Sequence, residues 1–355
     1  MRHSFRVSFT ADFYDEGGKP RYRDYGATLL VNAHQMEVCR IEAHRAEIAP
    51  EQIEDVQGVI VLSPRVTART LSDSQNLLVV SRFGVGYDGV DVVACTEADV
   101  LLTIARGAVD RSVAEATVGW MIALTHHMLV KDRLVREGRW ADRSFYMGSE
   151  LRDRTLGVIG FGGIGRALVR LLSGFSMKTP LVFDPHVDHD TAASQGVQRV
   201  DLESLLAEAD FVSVNCPLTN ETINLIGSAE LGSMKPSAFL INTARGGIVD
   251  EDALFNKLSA RAIAGAAIDC FDGEPLVAPH RFGALDNVLL APHSIAWTHE
   301  MFRDIGRVAC QGMLDVACGR RPHGVINPEV FDRPRFRDKW NRLRIADVER
   351  HAQHV

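Results

Sequence analysis

Six residues constrain this chain more than any others. Gly160-Phe161-Gly162-Gly163-Ile164-Gly165 follow the apolar run Leu156–Ile159 and open a helix-like stretch that reaches Ser173. A G-x-G-x-x-G between a strand and a helix has a mechanical reading. Gly160 permits the tight turn, Gly162 lets a pyrophosphate approach the backbone, and Gly165 lets helix and strand pack closely. The helix start then offers free N–H groups and a positive dipole end. The bland alternative is an ordinary glycine-rich turn. A second residue argues against it: Asp184 ends Leu181-Val182-Phe183, 19 residues after Gly165. A carboxylate there accepts hydrogen bonds from both adenosine ribose hydroxyls and repels a 2′-phosphate. NAD is therefore expected, and NADP is not. His186 and His189 are poor substitutes for the arginine that a 2′-phosphate requires.

The surroundings fit a doubly wound α/β chain. Phe5–Phe9, Gly58–Leu62, Leu77–Ser81 and Val100–Ile104 read as strands, and residues 12–26 as an irregular loop. A second series follows: strands at Thr155–Gly160, Pro180–Phe183, Asp210–Asn215, Ala238–Asn242, Ala262–Asp269 and Val288–Ala291, with helices at Ile164–Ser173, Asp201–Ala207 and Asp250–Ser259. Near-continuous apolar runs are the mark of parallel strands covered on both faces. Val113–Val130 reads as one long buried helix, too interrupted by Glu115, His126 and His127 to span a membrane, and Gly138–Ser149 as a connector. Helical pattern returns from Thr298 to Cys318, and the last 30 residues read as a surface-wrapping or partly mobile tail.

The chain's 355 residues suit two to three domains, and 46% hydrophobic with 24% charged residues excludes a disordered or fibrous chain. A formal net charge of −7 gives no general attraction to nucleic acid or to anionic membranes. Cysteines 39, 95, 216, 270, 310 and 318 show neither C-x-x-C nor zinc-finger spacing, so no metal site is expected. Scattered thiols and a start without an apolar signal core point to the cytoplasm.

Three polar residues sit just past apolar strands. Arg245 follows Phe239-Leu240-Ile241-Asn242-Thr243-Ala244, Glu274 lies in Asp269-Cys270-Phe271-Asp272-Gly273-Glu274-Pro275, and His293 follows Val288-Leu289-Leu290-Ala291-Pro292. Ligands bind open α/β sheets outside the carboxyl ends of strands. Taken singly, each is more often a turn, a salt bridge or a surface residue. Together they fit one chemistry. Histidine moves a proton near neutral pH. A neighbouring carboxylate favours the imidazolium and fixes the tautomer. A guanidinium grips a carboxylate and polarises an adjacent carbonyl. With a nicotinamide as hydride donor, these parts make a 2-oxo-acid reductase, or a 2-hydroxy-acid dehydrogenase in reverse.

The sequence resembles the D-isomer-specific 2-hydroxyacid dehydrogenases, from about Gly58 to Pro328. The resemblance rests on Phe83-Gly84-Val85-Gly86-Tyr87-Asp88-Gly89-Val90-Asp91, Val113-Ala114-Glu115, the stretch from Val212 to Thr219, and Ile241 to Asp250. It implies a catalytic set of Arg245, Glu274 and His293. It implies a Rossmann NAD domain at 106–295 inserted into a flavodoxin-like substrate domain of 1–105 and 296–355. It carries further cofactor contacts to Gly163, Ile164, Cys216, Pro217, Thr222, Thr243, Ala244 and Asp269, with Arg245 and His293 also facing the cofactor and Asp269 orienting the nicotinamide amide. Substrate contacts carry over to Ser63, Arg65, Val85, Gly86 and Arg245.

The departures are informative. Phosphoglycerate enzymes have Arg where this chain has Leu62, so the resemblance implies phosphate recognition only where Arg65 or Arg82 compensates. The resemblance stops near Pro328, so no regulatory ligand-binding domain is expected. Trp297 resembles a pocket aromatic of hydroxypyruvate reductases, offset by one residue. Formate enzymes place Gln at the position of Glu274. The family implies a homodimer through Val113–Val130 and Gly138–Ser149; the helix packing only within the chain is the alternative. The expected partner is a small 2-oxo or 2-hydroxy acid, with no nucleic acid and no membrane. An alternative from another class is an NAD-sensing corepressor-type protein, which keeps the same motifs.

Overall fold

A computed structural model describes residues 4–345. The chain forms two compact units, 1–109 with 297–355, and 110–296. The first begins with β1 (Phe5–Phe9), α1 (Ala27–Val31), β2 (Met36–Arg40), β3 (Gly58–Val61), β4 (Val79–Arg82), α2 (Val92–Glu97) and β5 (Leu101–Ile104). Its five strands are all parallel in the order β2-β1-β3-β4-β5. That is the flavodoxin-like order, with its switch point between β1 and β3. Strands β3 and β5 are buried along their whole length. β2 has no counterpart among the expected strands. It is an edge strand carrying Glu37 and Arg40, so it lacks the apolar run by which its neighbours are read.

The second unit holds α3 (Asp110–Thr125), α4 (Met128–Arg136), β6 (Leu156–Ile159), α5 (Gly163–Leu172), β7 (Leu181–Phe183), α6 (His189–Ser194), β8 (Gln198–Arg199), α7 (Leu202–Glu208), β9 (Phe211–Val214), α8 (Ser228–Ser233), β10 (Phe239–Asn242), α9 (Glu251–Ser259), β11 (Gly265–Ile268) and β12 (Val288–Leu290). All seven strands are parallel, in the order β12-β11-β10-β9-β6-β7-β8. This is the Rossmann order with one added strand, and its chain reversal falls at β6. Alternate residues face opposite ways. Val158, Ile241, Ala267 and Leu289 pack with Trp120, Met121 and Leu168, whereas Ile159, Val212, Leu240 and Ile268 pack with Leu205, Leu231 and Leu254.

The expected single helix Val113–Val130 is two helices. α3 stops at Thr125, and His127 takes a left-handed φ of 51° before α4 starts. The Thr125 carbonyl is engaged by the Ser149 N–H at 3.0 Å, so the returning connector satisfies the group that a continuing helix would have used. The connector itself contains a 3-10 turn at Trp140–Phe145.

The chain returns to the first unit through α10 (His299–Ala317), capped by Thr298, and α11 (Pro334–Leu343). The described part of the tail is docked. Asn327 is fully buried and bonds the Leu102 N–H, the Val100 carbonyl and Thr96. Lys339 donates to the carbonyls of Ser74, Leu77 and Ala98, and burial holds its ammonium down to about 8. The tail expectation for 346–355 lies outside the described residues. Residues 12–26 also have a place: Gly26 and Gly306 meet backbone to backbone, where a side chain on either would collide. No described helix is long and apolar enough to cross a membrane.

Candidate active site

In the second unit, the glycine loop leaves β6 with Gly160 at a φ of 89°, where a Cβ would lie 2.6 Å from the Cys216 nitrogen. Only glycine fits that approach. A Cβ on Gly165 would lie 2.7 Å from the Gly160 carbonyl, whereas one on Gly162 would meet open space. α5 starts at Gly163 and Ile164 with Gly162 as its N-cap, and no side chain caps it. Its first N–H groups are thus left for an outside acceptor. The Asp110 carboxylate lies against Gly163, so a side chain there would have to displace it; burial pushes that carboxyl upward, towards its neutral form, against the charge of Arg170.

Asp184 follows β7 directly. Its Oδ2 accepts the Phe161 N–H at 2.7 Å and its Oδ1 the His186 N–H at 2.8 Å. The carboxylate therefore braces the glycine turn, and each oxygen keeps a lone pair for another donor.

Among the described residues, two buried side-chain polar atoms have no protein partner: Asn215 Oδ1 after β9 and Thr243 Oγ1 after β10. β9 and β10 are neighbours, so both orphans sit at the carboxyl edge of the sheet, close in the chain to Cys216, Pro217 and Ala244. Buried polar groups are normally paired. With the uncapped α5 and the open face at Gly162, they fit a dinucleotide laid across this edge. Sequence reasoning misses Asn215, since an Asn at a strand end reads as a turn residue. Burial pushes the Cys216 thiol up to about 11, which makes it a packing residue and no nucleophile. Thr222, expected at the cofactor, donates to the Pro217 carbonyl and accepts the Thr219 N–H, both at 2.7 Å.

Arg245, Glu274 and His293 come from three loops at the same edge, after β10, β11 and β12. His293 Nδ1 lies 2.6 Å from Glu274 Oε2, and Glu274 Oε1 accepts the Phe271 N–H at 2.7 Å. Burial pushes the Glu274 carboxyl up. The His293 and Phe271 hydrogen bonds and the charges of His293 and Arg245 outweigh it, so the carboxyl ends below its ordinary range. Glu274 is thus held as a carboxylate against Nδ1, which leaves Nε2 as the working nitrogen. Asp269, buried, accepts the N–H groups of Ser294 at 2.9 Å and Ile295 at 3.2 Å on Oδ1, while its carbonyl takes the His293 N–H at 2.8 Å. It anchors the histidine loop.

The Arg245 loop is held by Asn242, whose side chain accepts the Ala244 N–H at 3.0 Å and donates to the Arg245 carbonyl at 2.9 Å. Gly246 lies so close to the Phe271–Asp272 backbone that any side chain would collide, which locks the Arg245 loop to the Glu274 loop. The Gly246 role cannot be read from sequence, because it depends on the loop after a neighbouring strand; the Asn242 role is local, an Asn bonding the backbone two and three residues on. Cys270 closes the group, with its Sγ within 4.8 Å of ligand atoms of Glu274 and His293.

Four of the expected substrate contacts belong to the first unit. Ser63 follows β3 and bonds Asp12 through both N–H and Oγ–H. Arg65 pairs with Glu47 at 3.5 Å. Val85 ends the bend that follows β4 and Gly86 comes directly after it; within the bend the Gly84 carbonyl accepts the Ala105 N–H at 2.8 Å.

Residues 118–294 match the model of the D-isomer specific 2-hydroxyacid dehydrogenase, NAD binding domain. A glyoxylate reductase of Thermofilum pendens is 35% identical over 307 residues, covering 83% of this chain and 90% of the relative. A D-3-phosphoglycerate dehydrogenase of Archaeoglobus fulgidus is 35% identical over 277 residues, covering 78% of this chain but only 52% of the relative. Among solved structures, a protein of Thermus thermophilus superposes with a TM-score of 0.76 at 28% identity, covering 91% of this chain and all of the other. A Paecilomyes thermophila glyoxylate reductase, at 23% identity and a TM-score of 0.77 over 92% of this chain and 99% of the other, shares the fold. None of these relatives supports a corepressor. From the signature in its second unit to the shared length of its relatives, the chain belongs to the D-isomer specific 2-hydroxyacid dehydrogenase family.

Proposed function

We propose that this dehydrogenase reduces a small 2-oxo acid to its D-2-hydroxy acid, with NADH as donor. The observation that carries the reading is the His293–Glu274 pair, flanked by Arg245, at the edge where the two orphaned polar atoms lie. The bound nicotinamide supplies a hydride to C2 of the acid. Arg245 holds the substrate carboxylate and polarises the neighbouring carbonyl. As C2 gains the hydride, its oxygen takes the proton from His293 Nε2, and Glu274 stabilises the imidazolium before transfer. Oxidation runs the same steps backwards, with His293 as base. Asp184 sets the preference for NAD by accepting from the ribose hydroxyls. Ser63, Arg65, Val85 and Gly86 contribute substrate contacts from the first unit.

The protein acts as a homodimer. Met128, Leu129, Val135, Trp140, Phe145 and Met147 are exposed along α4 and the connector, a concentration of apolar surface that a monomer rarely leaves open. Six free thiols support a cytoplasmic location.

The test is NADH oxidation against glyoxylate, hydroxypyruvate, pyruvate, phenylpyruvate and 3-phosphohydroxypyruvate, with NADPH in parallel. Turnover of at least one acid with NADH is expected. Silence across the panel while NADH still binds would overturn the reading.

A further inference from the structure

Cys270 stands just past the end of β11, at the start of the loop that carries Glu274, and His293 comes from the loop after β12. β11 and β12 are paired neighbours, so the two loops leave the same edge of the sheet side by side. That brings three different donors together. Ligand atoms of Cys270, Glu274 and His293 all lie within 4.8 Å of one another, and Glu274 Oε2 is 2.6 Å from His293 Nδ1. Among the described residues no other group of three His, Cys, Asp or Glu side chains gathers so closely. The spacing of cysteines along the chain does not announce the trio, because its third member arrives from the next strand.

Thiolate, imidazole and carboxylate are the donors from which proteins build zinc sites, at about 2.3, 2.0 and 2.1 Å from the ion. Two such ligands on one tetrahedral ion stand about 3.3–3.6 Å apart. An ion seated here parts Nδ1 from Oε2 by under about 1 Å and draws Sγ in by no more than about 1.3 Å. The approach has a mouth and a floor. The side chains of His293 and Glu274 are 44% and 30% exposed and Cys270 is buried, so an ion entering between imidazole and carboxylate meets sulfur beneath them. What lies behind the ligands already orients them. Glu274 Oε1 accepts the Phe271 N–H at 2.7 Å, Cys270 Sγ lies 3.4 Å from the Ala244 carbonyl, and Asp269 holds the histidine loop. The charge of Arg245, felt at Glu274, works against a cation; that of Asp269, felt at both Glu274 and His293, works for one.

We infer that Cys270, Glu274 and His293 form an inhibitory site for a thiophilic divalent cation, with Zn²⁺ as the ion they match. Three protein ligands and one position left to water are the set of an open zinc site. Mg²⁺ and Ca²⁺ call for oxygen ligands and are poorly served by sulfur and nitrogen. On binding, the thiol gives up its proton to solvent and Nδ1 gives up its own, so the ring keeps one proton, on Nε2. The imidazole can then no longer hold two protons. Nε2 cannot donate without leaving an imidazolate, it has no lone pair with which to accept, and Glu274 is taken from its task of stabilising the imidazolium. Turnover stops in both directions until the ion is removed. The effect on rate rests on the reductase reading above; the binding of the ion does not.

The experiment uses the full chain, stripped with EDTA and desalted. Equilibrium dialysis against Zn²⁺ is expected to load at least one ion per chain on the wild type and one fewer on Cys270→Ser. Co²⁺ in place of Zn²⁺ needs no variant: the wild type should show a thiolate-to-cobalt charge-transfer band in the near ultraviolet. With free Zn²⁺ set by a metal buffer, NADH oxidation on the best acid should fall by at least about tenfold at saturation and return with EDTA, while Mg²⁺ leaves it unchanged. Cys270→Ser, referred to its own metal-free rate, should need at least about tenfold more Zn²⁺ for half-inhibition. The partly exposed thiols are the control, and Cys39→Ser with Cys318→Ser should behave as wild type. Four results overturn the inference and leave the reductase reading standing: no charge-transfer band, Cys270→Ser inhibited as wild type, equal inhibition by Mg²⁺, or zinc held through Cys270 with the rate untouched. A metal-free chain that turns over no acid overturns that reading, and the inhibition with it.

Discussion

His293 reaches Glu274 across 2.6 Å from a left-handed backbone, at a φ of 53°, that is tied at three points to Asp269. A non-glycine residue in that region costs about 1–3 kcal/mol and persists only where its surroundings over-determine it. Here the buried carboxylate of Asp269 does so. The imidazole is therefore placed by its own loop, and Glu274 meets a ring already in position.

His293→Ala removes the proton donor and leaves the glycine loop, Asn215 and Thr243 untouched. The expected result is a fall in kcat of about 10²–10⁴-fold on the best acid. NADH affinity, read by fluorescence titration, should stay within about threefold. Near-wild-type turnover would refute the assignment.

Glu274 gives a pH prediction whose sign is fixed by its lowered pKa. The folded state holds this proton more weakly than the unfolded chain. The stabilisation is therefore complete above the unfolded value, about 4.3, and is lost as pH falls through the lower folded value. Glu274→Gln carries no such contribution. Its melting temperature should lie about 1–3 °C below wild type near neutrality, and the gap should begin to narrow below about pH 4.3 and close as pH falls through the lower folded value. A gap that stays constant with pH would show that the loss is steric. At neutral pH the variant should also lose at least about tenfold in kcat, because an amide no longer holds the imidazolium.

What could be read from the sequence followed a physical rule. Strands buried on both faces announce themselves as apolar runs, which is why β3, β6, β9 and β10 were visible. β2 was not, because an edge strand carries Glu37 and Arg40. The break between α3 and α4 was hidden, because it depends on Ser149 returning to the Thr125 carbonyl, a contact across 24 residues of chain. The glycine loop and the Arg245, Glu274 and His293 positions were legible because their chemistry is local to short motifs. Asn242, Gly246 and Asn215 were not. Gly246 acts through a neighbouring loop and Asn215 through an orphaned atom that only the folded sheet brings into view, whereas Asn242 bonds its own loop in a turn that its residue type alone does not announce.

Exposed apolar surface gives the third prediction. Trp140, Phe145 and Met147 are 65%, 80% and 80% exposed, so charged replacements there do not disturb a core. Light scattering on the wild type should give twice the 39.1 kDa chain mass. The double variant Trp140→Glu with Phe145→Glu should run as a folded monomer, by the same measurement with circular dichroism alongside. A wild-type monomer would refute the dimer.

The proposed role of Asp184 in cofactor choice gives the last prediction, on a carboxylate that also has a structural duty. Asp184 accepts the Phe161 and His186 N–H groups, so it shapes the glycine turn and also offers lone pairs beyond it. Asp184→Asn separates the two. The amide oxygen can still accept one of those N–H groups, but the negative charge that repels a 2′-phosphate is gone. The ratio of kcat/KM for NADH over NADPH should fall by about 10–100-fold, with the NADPH term rising in absolute value. Asp184→Ala removes the brace as well and should lower both cofactors' kcat/KM relative to the Asn variant. If the ratio is unmoved in Asp184→Asn, the carboxylate serves the turn alone and the preference for NAD is set elsewhere. If the wild type already prefers NADPH, the reading of Asp184 as the NAD-selecting carboxylate is overturned and its role is to brace the glycine turn.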